Sequence, residues 1–401
     1  MVKEVFLEMK FTRREALSGA AGGLMAVKPA TAFGAQANSA VPFGIIGTGG
    51  RGRYVGTHMA NTGLAKVAAI CDIYSDRIDL AKTKVPGADT AKVYKDYRDL
   101  LADDSVEAVL ITTPVFLHAE HFEAAVAAGK HIYCEKPAAP DVARVRRIHR
   151  AGQKVGKDRV VQWGYQQRFS PEYLKAMEYL ENGRLGDVKL VLSYWILGGP
   201  PATSFKPRYP EKDRKLRRWS SWTDLSGGPI VEQDCHGVDM LNWYLKALPV
   251  KAVGHGGLRY PVVYGDWTSD HHDIIYTYPD KKEGWLISIK HAAAFRSVKE
   301  QIYGSKAMIE TARTYYKLHG PRPDSRFPNA DSLEDRSLIE KVNSKREITI
   351  DAVEHFYRRI QERKPYNMTH VAVESTATSL LGRMAYEFER EVTWEEMWRS
   401  G

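Results

Sequence analysis

The chain has 401 residues, of which 43% are hydrophobic and 27% are charged, a composition typical of a globular protein of two or three domains. Its formal net charge of +9 is spread along the chain, and the densest basic stretch, residues 206–218, carries no recognised nucleic-acid-binding motif. We therefore expect no nucleic-acid partner, and the three cysteines are too few for a disulfide framework.

Residues 1–37 have the features of an export signal. An arginine pair at 13–14 precedes a run of small, weakly apolar residues at 18–27, and an A-x-A cleavage pattern follows at 35–37. This order resembles a twin-arginine signal and predicts a periplasmic or extracellular protein, the alternative being a disordered cytoplasmic tail. The apolar run is too short and too polar to remain as a membrane span, so we expect none.

From residue 41 onward, strand and helix patterns alternate. Apolar strand-like runs occur at 43–46, 67–71, 106–111, 131–134 and 159–162, and amphipathic helical stretches separate them. Alternation at this spacing predicts an α/β domain over residues 41–165, with a doubly wound parallel sheet and helices on both faces.

A glycine-rich loop, Gly-Thr-Gly-Gly-Arg-Gly, follows the first predicted strand. Gly47 permits the tight turn, Gly49 lets the backbone approach a pyrophosphate, and Gly52 lets the following helix pack closely on the strand. The alternative is a glycine-rich turn without a ligand. We assign the following residues to a dinucleotide site: Gly47, Gly49, Gly50, Arg51, Gly52 and Asp72.

Asp72 decides which dinucleotide we expect. It stands twenty residues after the last glycine of the loop, at the end of the second predicted strand. A carboxylate there accepts hydrogen bonds from ribose hydroxyls and repels a ribose 2′-phosphate, which favours NAD over NADP. Arginines at 51, 53 and 77 are near enough in sequence to moderate that preference.

Two further segments follow predicted strands, at the edge where doubly wound sheets bind ligands. Thr113 and Pro114 end one strand, and Glu135-Lys136-Pro137 ends the next. A lysine beside a bound nicotinamide can have a lowered pKa and exchange a proton with a substrate hydroxyl. The alternative is an exposed lysine paired with Glu135.

The pattern changes near residue 186. Strands are predicted at 188–195, 250–254, 274–278, 285–290 and 347–350, with helices at 229–245, 352–362 and 370–390. Long strands with few helices between them predict a second, α+β domain over residues 166–390, built on an open, mostly antiparallel sheet. Its C-terminal helices could pack back on the first domain.

The helix predicted at 229–245 carries the other candidate chemistry. Glu232 and His236 are four residues apart and share one helical face, with Asp239 on much the same side. A carboxylate there can orient an imidazole that takes a hydroxyl proton, the alternative being a structural His–Glu pair. We predict no metal site, because strand alternation puts His271 and His272 on opposite faces and leaves no third ligand.

In this order the segments resemble the Gfo/Idh/MocA family, which includes glucose–fructose oxidoreductase and inositol dehydrogenase. The resemblance spans roughly residues 41–390 and rests on the glycine loop, Thr113-Pro114 with His118, Glu135-Lys136-Pro137, Arg168, and the helix with Glu232, His236 and Asp239. It implies a Rossmann domain joined to an open-faced sheet domain that often forms dimers or tetramers. It also implies Lys136 and His236 as the proton-handling pair, with Glu232 where inositol dehydrogenases usually have Asp.

These inferences predict hydride removal from a secondary hydroxyl of a sugar or cyclitol by tightly bound NAD. An aromatic wall of Trp195, Trp219 and Trp222 with Arg217 could hold the sugar. Two alternatives remain open: an NAD-dependent glycosidase with a redox-neutral cycle, and a non-catalytic binding protein.

The predicted site residues fall into three groups. The catalytic residues are Lys136, His236 and Glu232, and the substrate-binding residues are Arg168, Trp219, Asp239 and His271. The cofactor-binding residues are those of the glycine loop and Asp72, together with Thr113, Pro114, His118, Glu135 and Lys136.

Overall fold

The computed structural model describes residues 40–197, 209–260, 264–290, 295–321 and 337–401. The predicted export signal at 1–37 lies outside the described residues. No helix in the described parts of the chain is both long and apolar enough to cross a membrane.

The first sheet is parallel throughout and has the strand order β3-β2-β1-β4-β5-β6, which is the order of a doubly wound dinucleotide-binding fold. Its inner strands are apolar on both faces because helices cover both sides. The predicted α/β architecture is confirmed. The strands are β1 Val41–Ile46, β2 Ala65–Cys71, β3 Lys92–Tyr94, β4 Ala108–Ile111, β5 His131–Cys134 and β6 Val160–Trp163.

Two helices of this half begin at side chains that accept hydrogen bonds from their free N–H groups. The Asp96 and Asp141 carboxylates accept from the backbone N–H groups of Arg98 and Arg144, both at 2.8 Å. The helices are α1 Gly50–Asn61, α2 Ser75–Lys84, α3 Tyr97–Leu101, α4 His118–Ala127, α5 Val142–Gly152 and α6 Pro171–Glu181, with short 3₁₀ turns at Val115–Leu117 and Gln166–Phe169.

The second sheet has nine strands in the order β14-β13-β12-β11-β7-β10-β9-β8-β16. Only β7 and β10 pair in parallel; the other neighbours are antiparallel, so the predicted mostly antiparallel sheet is confirmed. The strands are β7 Val188–Ile196, β8 Lys251–Gly257, β9 His271–Tyr278, β10 Lys282–Ile289, β11 Ser297–Gly304, β12 Met308–Ala312, β13 Tyr315–His319, β14 Leu338–Asn343 and β16 Val392–Thr393.

The remaining helices connect the two sheets. The segment predicted as a strand at 347–350 instead opens a helix, because the Glu347 carboxylate accepts from the N–H of Thr349 at 2.7 Å and caps it. The helices are α7 Glu211–Arg217, α8 Thr223–Ser226, α9 Gly228–Glu232, α10 Cys235–Leu245, α11 Ile348–Gln361, α12 Thr369–Glu387 and α13 Trp394–Arg399, with 3₁₀ turns at Trp219–Ser221 and Pro279–Lys281.

After the second sheet the chain returns to the first. Helix α11 packs against α1 and β6, α12 packs against α5, and the short strand β15, Tyr366–Asn367, extends the parallel sheet beside β6. This return places α10 and α12 between the two sheets, so the sheets share one buried core.

The single helix predicted at 229–245 is wrong, since α9 and α10 are separated by Gln233 and Asp234. The Asp234 carboxylate is fully buried and is held from the second sheet by His272, at 2.7 Å, and by Lys290. These contacts tie the junction to the sheet. Glu232 therefore ends one helix, and His236 lies in the first turn of the next.

Candidate active site

A cleft of about 490 Å³ lies where β1 and β4 diverge in the first sheet. The two loops that leave these strands meet there, and the Thr112 hydroxyl donates to the Gly47 carbonyl at 2.6 Å. Residues from the second half of the chain close the other side. We call this the dinucleotide cleft; its lining includes Gly47, Gly49, Gly50, Asp72, Tyr74, Arg77, Thr112, Thr113, Pro114, Leu216, Arg217 and Trp219.

The glycine loop has the geometry that a pyrophosphate requires. Gly47 has φ +91°, a conformation that side chains disfavour, and a Cβ on Gly52 would lie 2.1 Å from the Gly47 carbonyl oxygen. A Cβ on Gly49 or Gly50 would meet no atom within 4 Å, so the loop leaves open space at the N-terminus of α1. Free N–H groups and the helix dipole favour an anion there.

Asp72 lies in this cleft with its carboxylate orientated by the backbone. Its Oδ2 accepts from the Thr48 N–H at 2.8 Å, and its Oδ1 accepts from the Tyr74 N–H at 2.9 Å. Of Arg51, Arg53 and Arg77, which the sequence placed near Asp72, Arg77 lines the cleft, whereas Arg53 donates to the Thr48 carbonyl at 2.7 Å. The residues present fit NAD.

A second cavity of about 270 Å³ adjoins the cleft, and Thr112, Thr113 and Trp219 line both. We call it the inner cavity. It brings together all three predicted catalytic residues with part of the cofactor set; its lining includes Arg51, His118, Glu135, Lys136, Gln166, Trp195, Glu232, Gln233, His236, Arg296 and Arg313.

Lys136 is a largely buried cation, with 13% of its side chain exposed. Its Nζ donates to the Glu232 carbonyl oxygen at 2.5 Å and lies 3.5 Å from the Glu232 carboxylate. Burial alone would lower the pKa of Lys136, but the charge of Glu232, with smaller contributions from Cys235 and Glu135, raises it above its ordinary value. The lowered pKa expected from the sequence is therefore wrong, and Lys136 acts as a hydrogen-bond donor.

His236 has the opposite character. Burial, followed by the charges of Lys136, Arg313 and Arg51, holds its pKa well below the ordinary value, so its imidazole is neutral. The ring stacks on Trp195, with centroids 5.5 Å apart and an interplanar angle of 12°. Its Nδ1 has no hydrogen-bond partner in the described parts of the chain. A neutral, unpaired imidazole is suited to accept a proton.

Glu232 contacts Lys136, whereas the sequence suggested that it orients His236. The helix break explains this, because Glu232 and His236 no longer share one continuous face. On the other side of the cavity, Glu135 forms an ion pair with Arg51 at 2.8 Å. His118 lies within hydrogen-bond distance of the Thr113 and Pro137 carbonyls and so joins the two strand ends.

Three of the predicted substrate residues lie outside both cavities. Arg168 donates to Asp239 through Nε and Nη2, each at 2.8 Å, and the Ser375 hydroxyl donates to the same buried carboxylate at 2.7 Å. This ion pair joins α10 and α12 to the turn before α6. His271 pairs with Asp270 at 2.8 Å and faces away from buried His272, as strand alternation predicted.

The predicted aromatic wall is divided between the two cavities. Trp195 lines the inner cavity, Trp219 lines both, and Arg217 lines the dinucleotide cleft. Trp222 lies outside both and packs against Tyr264.

Sequence reasoning missed Arg296, Arg313 and Gln233 in the inner cavity and the Asp234–His272–Lys290 cluster beneath it. Single arginines at strand ends carry no local motif that would have identified them. Within the described residues, no group of three or more His, Cys, Asp or Glu side chains could hold a metal ion.

Two stretches of the chain match one oxidoreductase family. Residues 41–165 match its domain described as the NAD-binding Rossmann fold, and residues 173–310 match the GFO/IDH/MocA C-terminal domain. Together the matches cover well over half of the chain. Residues 41–165 therefore form an NAD-binding Rossmann domain, and the prediction of NAD is confirmed.

Curated relatives include the inositol 2-dehydrogenase of Salmonella typhimurium (strain LT2), which is 38% identical over 149 residues, or 37% of this chain and 44% of that protein. The chain thus matches less than half of the length of this relative. A scyllo-inositol dehydrogenase from Lactobacillus casei, solved with NAD(H) and scyllo-inositol, has a TM-score of 0.69 at 21% identity, covering 89% of this chain and 99% of that one. A levoglucosan dehydrogenase solved with NADH and levoglucosan has a TM-score of 0.72 at 18% identity, covering 88% and 99%. At these identities the two structures show a common fold.

We predict that His236 remains neutral at pH 6.5, where an ordinary histidine is half protonated. Replacing Lys136→Met removes the positive charge that most disfavours imidazolium, so the pKa of His236 should rise. Nitrogen-15 NMR titration of histidine-labelled protein measures the pKa of His236 in the parent and in the variant. The control is Lys82→Met, an exposed lysine on α2 that lines neither cavity. A pKa that is equal in the Lys136→Met variant and the parent would contradict the coupling.

Proposed function

The chain belongs to the Gfo/Idh/MocA family of oxidoreductases, and we propose that it oxidises a secondary hydroxyl of a sugar or cyclitol with NAD. The observation that carries this proposal is the junction of the two cavities at Thr112, Thr113 and Trp219. A dinucleotide held at the glycine loop and Asp72 would extend towards that junction. When bound, NAD supplies the hydride acceptor.

The inner cavity supplies the proton chemistry. His236 is neutral and accepts the proton of the substrate hydroxyl. Lys136 remains an ammonium and donates a hydrogen bond to the same oxygen, which stabilises the negative charge that develops there. Glu232 holds Lys136 in place through its carbonyl and its carboxylate.

The substrate class is proposed from the shape of the site and from relatives. Trp195 and Trp219 provide flat apolar walls on which the C–H face of a sugar or cyclitol ring can pack. Curated relatives are named inositol 2-dehydrogenase, and dehydrogenases of the same fold were solved with scyllo-inositol and with levoglucosan. These names support a polyol ring as the ligand of this chain.

Tight retention of the cofactor is supported by a clamp across the dinucleotide cleft, formed by Arg217 of α7 with Asp76 of α2. The guanidinium donates to both Asp76 oxygens, at 2.8 and 2.9 Å. It lies over the rings of Tyr74 and Tyr209, with Cζ 3.7 and 4.3 Å from their centroids. These contacts join α7, which lines the cleft through Leu216 and Arg217, to α2, and we expect them to open before a bound dinucleotide leaves.

Export and assembly are further parts of the proposal. A twin-arginine signal at residues 1–37 would carry the folded protein with its cofactor, and a retained cofactor suits a compartment without a nicotinamide pool.

Assembly into dimers or tetramers through the second sheet is supported by Val253, Ile275 and Trp285, which lie directly opposite one another on its outer face. A monomeric mass by sedimentation equilibrium would contradict assembly.

We predict that His236→Ala and Lys136→Met each lower kcat by about 100- to 10,000-fold, the usual contribution of a positioned acid or base. Both variants should keep bound NAD, because the glycine loop and Asp72 are unchanged. The measurement is co-purified nicotinamide and its reduction when a panel of sugars and cyclitols is added. Lys130→Met, on the far side of the first sheet, is the control.

Full activity in either variant would contradict the assigned roles. Release of the leaving group from an aryl glycoside without net NADH would instead identify the redox-neutral glycosidase. Intact bound NAD with neither response would favour a binding protein.

We predict that Arg217→Met speeds cofactor release by about 3- to 30-fold, because it removes a bidentate ion pair and two ring contacts. The matched control is Lys215→Met on the same helix, which removes the ion pair with Asp224 and lines neither cavity. Fluorescence of NADH displaced by excess NAD measures the rate. Equal rates for the two variants would contradict the clamp.

A further inference from the structure

The inner cavity holds more positive charge than the proton chemistry uses. Four permanent cations line it, and two of them are paired: Arg51 with Glu135 at 2.8 Å, and Lys136 with Glu232 at 3.5 Å. The other two cations are Arg296 and Arg313. His236 adds no charge because its pKa is well below the ordinary value.

Neither Arg296 nor Arg313 forms an ion pair with a carboxylate in the described parts of the chain. Arg313 follows β12, and its guanidinium lies over Trp195, with Cζ 5.5 Å from the ring centroid. Its Nε is buried and has no hydrogen-bond partner among the described residues. Arg296, which precedes β11, is exposed at the cavity.

Glu300 does not neutralise Arg313. This carboxyl is fully buried in the second sheet, and burial raises its pKa to about 8 although Thr311, Tyr173 and Arg313 oppose the shift. At neutral pH the group is therefore mostly protonated. Among the described residues, no ionised carboxylate therefore pairs with Arg313, and its charge can bind a ligand.

The cofactor does not account for the two arginines. Both line the inner cavity, and neither lines the dinucleotide cleft in which the glycine loop and α1 receive the pyrophosphate. They flank strands β12 and β11 of the second sheet, whereas Lys136 follows strand β5 of the first sheet. Their ligand is therefore on the substrate side.

We propose that the substrate of this chain is anionic: a sugar or cyclitol whose carboxylate or phosphate group is bound by Arg313 and Arg296. This inference rests on the proposed function and specifies its substrate class. Guanidinium forks bind such oxyanions with two parallel hydrogen bonds, which makes the contact strong and directional. The cavity of about 270 Å³ suits a single ring.

An anion at this position also assists the reaction. The charges of Lys136 and Arg313 both disfavour protonation of His236. A bound carboxylate or phosphate screens Arg313 and raises the proton affinity of His236 when the substrate arrives. His236 is thus a stronger base in the substrate complex, in which it accepts the proton.

The test compares matched pairs with the NAD-loaded protein: D-glucose with D-glucuronate and D-glucose 6-phosphate, and D-galactose with D-galacturonate. Binding is followed by the fluorescence of Trp195 and Trp219, which needs no turnover, and oxidation by nicotinamide reduction. We expect an anionic member to bind about 10- to 100-fold more tightly than its neutral partner, the usual effect of a charged hydrogen bond. Comparing the uronates with D-glucose 6-phosphate shows whether the bound group is a carboxylate or a phosphate.

Arg313→Gln should raise KM for the anionic sugars and so remove this preference. Arg313→Lys should restore part of the preference because the charge returns. Arg150→Gln, an exposed arginine of α5 outside both cavities, controls for the change in net charge. Anionic members that bind no better than neutral ones in every pair would overturn the inference.

The two proposals fail separately. Oxidation of neutral sugars without preference for anions would leave the proposed function standing and overturn the anionic substrate. Arg313-dependent binding of an anion without nicotinamide reduction would support the anionic ligand and contradict the oxidoreductase.

Discussion

The ammonium of Lys136 is the charge on which the site depends. It lies at the carboxyl end of β5 in the first sheet, yet its partners belong to Glu232 of α9 in the second half of the chain. A buried ion costs several kcal/mol of desolvation, and an opposite charge with good hydrogen bonds must offset that cost. The Lys136–Glu232 contact offsets this desolvation cost only when the two halves of the chain pack together. In that packed state the inner cavity adjoins the dinucleotide cleft.

The same charge contributes to the proposed division of proton transfer in the site. Burial, reinforced by the charge of Lys136, holds the pKa of His236 well below its ordinary value, so in the proposed mechanism Lys136 donates and His236 accepts. Trp195 contacts both groups, since its ring stacks on His236 and the guanidinium of Arg313 lies over it. An anion bound to Arg313 would then act on His236 through electrostatics, without direct contact.

The sequence predicted the first half well because its information is local. The glycine loop, the acid at Asp72 and the strand-end lysine at Lys136 each follow an apolar run, and parallel strands bring their carboxyl ends to one edge. Predictions from helical spacing were less successful. Asp239 shares a helix with His236 but is held by Arg168, and Glu232 is separated from His236 by a helix break that buried contacts from distant strands create.

By itself the sequence determined the architecture and the NAD-binding domain, because strand–helix periodicity and glycine conformation are properties of neighbouring residues. Only the tertiary structure decided the ionisation of Lys136 and the presence of Arg296 and Arg313 in the cavity. These depend on burial and on side chains more than a hundred residues apart in the chain, such as Lys136 with Arg313. Charge in a protein interior is set by what surrounds a group, and only the folded chain specifies those surroundings.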